Sequence, residues 1–418
     1  MIKHIIPKSE FGRNVLTLMT GTTIAQAIPI AISPILTRIY TPEYFGLFAL
    51  YMSIASIIAV VATGRYELAI MLPKKDEDAI NIVALSMIIA VFVSLISFFI
   101  VFIFNSQITN LLGNPEISNW LYFIPITVFL TGVYQSLNYW NNRKKQYKRL
   151  ATSRVVQSGT TATTNLGMGF GGLGASGLIV GNILGQTMAT LLLAKLFIFE
   201  KNKIKKIKII AMAKQYIKFP KFSLVAGIIN MSSKEVPKLL IASTFGITIL
   251  GFLSLAQRII VIPISLLASS MQQVFFQQAS IEYNKNKNAK IIYKATFKKL
   301  LLIAIIPFLL LFIFAPAIFG FVFGKEWEVS GDIVRILVPF YFIYFIGAPL
   351  NVMFAIAEKQ KLELYWQSIF FIMSVASIVI SSYFTNDIYL VLSSFSAANT
   401  FVFLYGIFLT NKIAKGIL

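Results

Sequence analysis

AINIVALSMIIAVFVSLISFFIVFIF, residues 79–104, runs for 26 residues without an ionisable side chain. As a helix rising about 1.5 Å per residue it spans about 39 Å, more than the roughly 30 Å of a hydrocarbon core. In lipid every backbone N–H and C=O must be satisfied within the segment, so such a run reads as a membrane-crossing helix. Comparable apolar segments recur on both sides of it, at approximately 14–37, 44–72, 119–141, 150–170, 175–199, 222–244, 248–277, 296–323, 332–357, 364–385 and 388–411. With 79–104 they make twelve. The expected fold class is an all-α polytopic membrane protein. The first segment is too long for a cleavable signal peptide, contains Pro29 and Pro34, and lacks a clear cleavage site.

The composition agrees. Of 418 residues 57% are hydrophobic and 13% charged, about half the usual charged fraction of roughly 25%. There is no cysteine, and the single histidine is His4. Disulfides, thiolate nucleophiles, Cys-ligated metals, His-based catalysis and His metal clusters are therefore excluded, and no metal site or cofactor is expected.

The net charge of 37 − 16 = +21 would suggest nucleic acid in a soluble protein. Here it maps to alternate loops. The N-terminal tail, the loops near 73–78, 142–149, 200–221, 278–295 (with Lys298 and Lys299 beside it) and 358–363, and the C-terminal tail hold 28 of the 37 cations. The opposite loops hold Arg38 and Lys325 only. This positive-inside asymmetry predicts both termini in the cytoplasm and a basic rim against anionic membrane lipids. No nucleic-acid partner is expected.

The stretch 200–221, EKNKIKKIKIIAMAKQYIKFPK, is the most basic connection and suits a helix lying in the membrane interface. It divides the chain into a six-helix lobe at 1–199 and another at 222–418. Weak internal similarity supports the division: Phe45-Gly46-Leu47-Phe48-Ala49-Leu50 echoes Leu250-Gly251-Phe252-Leu253-Ser254-Leu255, and Pro29 echoes Pro237. Two such repeats predict a transporter with a central cavity.

Ionisable residues deep in apolar segments cost roughly 2.5–3.5 kcal/mol each on insertion scales, so they mark candidate sites. The seventh segment carries Lys234, Glu235 and Lys238, with Asn230, Lys234 and Lys238 forming one stripe at i, i+4, i+8. Pro237 removes a helix hydrogen bond there. Arg258 follows in the eighth segment, at the depth of Lys234 if the two helices form a tight hairpin. Glu235 can pair with Arg258 or Lys238 as a structural ion pair. Even so, at least one cation remains for an anionic substrate. Arg65 and Glu67, within Gly64-Arg65-Tyr66-Glu67, admit both an anchoring and a functional reading. Arg38 closes the first segment as either a local anchor or an outer gate. Arg154, Lys195 and Arg335 read as edge anchors, and Asp332 as the local partner of Arg335.

Gly169-Phe170-Gly171-Gly172-Leu173-Gly174 matches G-x-G-x-x-G but lacks the strand and βαβ context of a dinucleotide site. Gly177, Gly181 and Gly185 continue as a small-residue stripe for close helix packing. No phosphate-binding G-x-x-x-x-G-K-[ST] occurs, so ATP is not expected as an internal fuel.

Thr37-Arg38-Ile39-Tyr40-Thr41-Pro42-Glu43-Tyr44-Phe45-Gly46-Leu47-Phe48 and Arg65-Tyr66-Glu67-Leu68-Ala69-Ile70-Met71-Leu72-Pro73 carry a resemblance. They resemble the bacterial polysaccharide-transport family, the Wzx-type O-antigen and capsule repeat-unit flippases. That family shares a superfamily with multidrug-and-toxin exporters and the lipid II flippase. The resemblance implies two six-helix lobes around a central cavity. It also implies transfer of undecaprenyl-pyrophosphate-linked oligosaccharide from the cytoplasmic to the outer leaflet of the inner membrane, by alternating access coupled to an ion gradient. Lys234, Lys238 and Arg258 would then offset the desolvation of the pyrophosphate, and Arg65 would receive it. Glu235 or Glu67 would carry the coupling proton or sodium ion. A polysaccharide polymerase and chain-length machinery are the implied partners, and one chain supplies both lobes, so a monomer suffices. Three alternatives stand beside this: a multidrug exporter of the same superfamily, a flippase for another isoprenoid-linked glycan, and a membrane polymerase or ligase of the same pathway.

Overall fold

The computed structural model describes residues 10–417. His4 and the start of the basic N-terminal tail lie outside the described residues. Among these, secondary structure is helical throughout. Twelve helices have 18 residues or more: α1 (Glu10–Ile39), α2 (Pro42–Ala59), α3 (Asp76–Leu112), α4 (Ile124–Arg143), α5 (Tyr147–Phe170), α6 (Ala175–Glu200), α7 (Leu224–Phe245), α8 (Ile247–Asn286), α9 (Lys290–Phe323), α10 (Glu328–Leu350), α11 (Gln360–Phe384) and α12 (Ile388–Ala414).

By length and composition, ten are able to cross a membrane. The other two are α5, which carries a polar face, and α7, which carries Lys234, Glu235 and Lys238. Large apolar side chains stand on the outside of the helices, among them Phe92, Phe99 and Ile103 on α3 and Leu302, Ile306 and Phe321 on α9. Water would penalise such a surface and lipid would not, so the chain is a multi-pass membrane protein.

Three segments depart from the expected spans. The second is not one helix across 44–72. It stops at Ala59, because Gly64 (φ 58°) and Arg65 (φ 63°) both adopt the left-handed conformation. Turn hydrogen bonds such as Gly64 N–H to Val61 O (3.0 Å) and Leu72 N–H to Ala69 O (3.0 Å) satisfy the backbone through the break, and a 3₁₀ helix, Tyr66–Met71, follows. The eighth runs well beyond 277: α8 has 40 residues, about 60 Å at 1.5 Å per residue, and much of the expected 278–295 loop is helix. The tenth ends at Leu350, followed by a short helix, Met353–Ile356.

The chain divides into two compact units, Met1–Met231 and Ser232–Leu418. The first is closed by small residues. Cβ atoms built on Gly177, Gly181 and Gly185 of α6 would strike the Tyr40 hydroxyl, the Asn165 amide and the Thr161 hydroxyl respectively. The stripe therefore brings α6 against α5, as small-residue stripes do in lipid. The Gly-rich turn serves the same packing: a Cβ on Gly169 would lie 2.7 Å from the Tyr40 ring, whose hydroxyl donates to Asn165 O at 2.6 Å. In the second unit aromatic rings join α10, α11 and α12. Trp366 stacks on Phe370 (6.2 Å between centroids), meets Phe403 edge-on at 5.1 Å, and donates its indole N–H to Val402 O at 3.0 Å.

Candidate functional site

The helix break after α2 positions the first charged pair. Glu67 is buried, 1% exposed, and a buried carboxylate costs several kcal/mol unless its oxygens are bonded. The break supplies the bonds. The Thr63 hydroxyl donates to one Glu67 oxygen, and Arg65 Nη1 lies 3.5 Å from the other. A continuous helix would not direct Arg65 and Glu67, two residues apart, toward each other. Arg65 remains 28% exposed at its side chain, and its buried Nε–H has no partner among the described residues. Its guanidinium lies against Gly227 of α7. An arginine with one acidic neighbour and a spare donor can still receive an anion.

The C-terminal end of this motif is held tightly. Arg143 at the end of α4 donates to Ile70 O (3.1 Å), Pro73 O (2.7 Å) and Asp76 (2.8 Å). Tyr66, Ile70, Ile80 and Trp140 form a buried cluster, and Met212, Tyr216 and Phe219 pack onto it from the 200–221 stretch. That stretch contains a helix, Lys206–Gln215, and a π turn, Phe219–Ser223. It is strapped to the first unit: Tyr66 donates to Ala213 O at 2.9 Å, Lys205 N–H to Asn81 Oδ1 at 2.8 Å, and Lys208 to Glu77 (3.0 Å) and Asp78 (3.1 Å). The Glu77 and Asp78 hydrogen bonds raise the Lys208 pKa above its ordinary value.

In α7, Glu235 accepts from Lys238 at 2.9 Å. Of the two structural pairings open to Glu235, Lys238 and Arg258, the structure makes the first. Lys234 and Arg258 form no ion pair among the described residues, nor does the structure bring them into contact with each other. Arg38 is exposed and donates to Pro34 O of its own helix at 3.2 Å. Arg335 pairs loosely with Asp332 at 3.8 Å.

Sequence reasoning missed a second polar site. A cavity of about 440 Å³ opens in the first unit among α1, α4 and α5. Arg154, read from sequence as an edge anchor, lines it together with Gln26, Asn138 and Gln157. The signal was present in α5, where Arg154, Gln157, Ser158, Thr161 and Asn165 recur at helical spacing inside a nominal span.

The sequence matches the polysaccharide biosynthesis protein family over residues 35–332. Among solved structures, the fold is similar to a multidrug resistance MATE family transporter of the MOP superfamily in its inward-facing conformation. That likeness has 15% identity and a TM-score of 0.69, covering 94% of this chain and 95% of that one. It is also similar to the lipid II flippase MurJ in an inward closed conformation, at 15% identity and TM-score 0.70, covering 96% and 89%. A third is a MOP superfamily transporter from Pyrococcus furiosus whose binding pocket is described as reversed in polarity, at 14% identity and TM-score 0.64, covering 96% of each chain. A search among curated proteins finds no match. At such identities these likenesses show the fold alone, that of MOP superfamily transporters. The family match takes in the broken second span, the basic stretch and α7 with Lys234, Glu235 and Lys238, and the chain belongs to the polysaccharide biosynthesis protein family.

Proposed function

We propose that this protein is a flippase for undecaprenyl-pyrophosphate-linked oligosaccharide, an O-antigen or capsule repeat unit. It moves the lipid from the cytoplasmic to the outer leaflet of the bacterial inner membrane by alternating access, and it is a transporter rather than an enzyme. Its termini lie in the cytoplasm, its basic rim meets anionic lipids, and a monomer does the work beside the polymerase and chain-length machinery.

The observation that carries this reading is the pairing within α7. Glu235 is engaged by Lys238, while Lys234 and Arg258 form no salt bridge among the described residues. Unpaired cations on membrane helices are costly and are retained where they meet an anion. A pyrophosphate linking lipid to glycan is such an anion, with oxygens suited to charge-assisted hydrogen bonds. Lys234 and Arg258 bind it, Lys238 tunes Glu235, and Arg65 with its spare Nε–H receives the lipid. Glu67 and Glu235 are the carboxylates available to an ion gradient of protons or sodium. Arg38, bonded to its own helix, serves as an anchor at the outer gate.

The test is complementation of a strain deleted for its own flippase. Lys234→Ala and Arg258→Ala should each abolish surface glycan while the protein stays in the membrane at normal amounts. Normal export by both variants would remove the cations from the substrate path.

A further inference from the structure

The cavity in the first unit is polar yet carries almost no charge. Thr22 and Gln26 reach it from α1, Gln135 and Asn138 from α4, and Arg154 and Gln157 from α5. Among the described residues no carboxylate lines it, so neither a metal ion nor an organic cation finds a counter-charge there. An acyl chain would leave its amide, hydroxyl and guanidinium groups without hydrogen-bond partners. Arg154 is its one cation among the described residues, and the Nη1 of that residue already donates to Thr22 at 2.5 Å. A small multivalent anion would need more than this.

The wall offers amides that the protein itself leaves idle. Gln26 Oε1 is buried without a hydrogen-bond partner, an omission that ordinarily carries a desolvation cost. Gln135 and Asn138 make no hydrogen bond among the described residues. Gln157, by contrast, is fixed by donating to Gln186 of α6 at 2.5 Å, and this holds the α5 wall in place. Each amide presents a donor and an acceptor side by side. A sugar hydroxyl is likewise donor and acceptor at once, so neighbouring hydroxyls on a ring complement a set of amides without any charge. Tyr134 and Tyr139 add apolar ring faces for the C–H side of a sugar. The volume of about 440 Å³ falls within the usual range for small-molecule sites. Tyr139 is also within electrostatic reach of Arg65 and Glu67, which sets the cavity beside the helix break.

We infer that this cavity is a glycan-recognition site that takes one or two sugar residues through Gln26, Gln135, Asn138 and Arg154. The inference rests on the flippase reading and deepens it. The basic residues hold the part common to every such lipid, and this site reads the sugar.

The test is native mass spectrometry of the full-length protein in detergent with two probes. One is bare undecaprenyl pyrophosphate, and the other is the undecaprenyl-pyrophosphate-linked repeat unit extracted from the producing bacterium. The unaltered protein should hold the glycan-linked lipid at least tenfold more tightly than the bare one. Gln135→Ala with Asn138→Ala should bring that ratio to within twofold of unity and leave bare-lipid binding unchanged, which also reports that the variant is folded. If the double variant loses both lipids, Asn138→Ala alone decides by the same ratio. Lys234→Ala should weaken both lipids equally. A ratio near unity in the unaltered protein, or an unchanged ratio in the amide variants, overturns the sugar site and leaves the flippase reading standing. Failure of the unaltered protein to bind either lipid overturns the flippase reading, and the sugar site with it.

Discussion

The guanidinium of Arg65 rests on the bare backbone of Gly227: a methyl group built at that glycine would lie 2.7 Å from Nη2 and 3.0 Å from Cζ. The same arginine is the cation nearest the buried Glu67. Residue 227 therefore controls a charge pair 160 positions earlier in the chain.

Gly227→Val should push Arg65 off Glu67 and reduce glycan export at least tenfold, about 1.4 kcal/mol on the rate-limiting step, at normal protein levels in the membrane. Gly227→Ala should be milder, because the flexible end of the arginine side chain can step around one methyl. Surface-glycan immunoblots beside membrane immunoblots report both quantities. Full export by Gly227→Val would show the contact to be dispensable.

The strap at Lys208 sets a pH dependence whose sign follows from its raised pKa. A base with a raised folded-state value contributes its contact fully below the ordinary lysine value of about 10.4 and loses it as pH rises through the raised one. Lys208→Ala should therefore speed subtilisin cleavage within 200–221 severalfold at pH 7.5 in nanodiscs. The ratio of variant to parent rates should fall toward unity only above about pH 10.4. Higher salt should shrink the ratio as well, since the pair is near the surface.

Gly181→Val puts branched carbon into the space held by the Asn165 amide and the Thr161 carbonyl, the latter 3.2 Å from an added Cβ. Overpacking of this kind costs about 1–3 kcal/mol, a fall of about 5 °C in apparent Tm. Fluorescence-detected size-exclusion melting curves in detergent measure it. An unchanged Tm would remove the glycine stripe as the reason α5 and α6 approach so closely.

Helix class and membrane character were legible because apolar length alone forces them, as residues 79–104 illustrate. The break after Ala59 was not. Val60-Val61-Ala62 continues the apolar run, and only the left-handed pair Gly64 and Arg65 ends the helix. The demand for that geometry comes from seating the Glu67 carboxylate, which is a tertiary matter. At α7 the sequence supplied the charges but left two partners open to Glu235; rotamer and spacing select Lys238 at i+3. Arg154 misled for a different reason. Its distance from the segment end suits an anchor, while its true surroundings are set by which face α5 turns toward α1 and α4.

The attachment of 200–221 to the first unit also bears on how relatives of this chain can be recombined. A crossover placed in the charge-rich stretch would separate Lys208 from Glu77 and Asp78, and Ala213 from Tyr66. The natural seam for a functional chimera lies downstream, at the π turn Phe219–Ser223, where the first parent keeps its own strap and the second begins with α7. Even there Gly227 must come from a parent whose residue at that position leaves room for the other's Arg65.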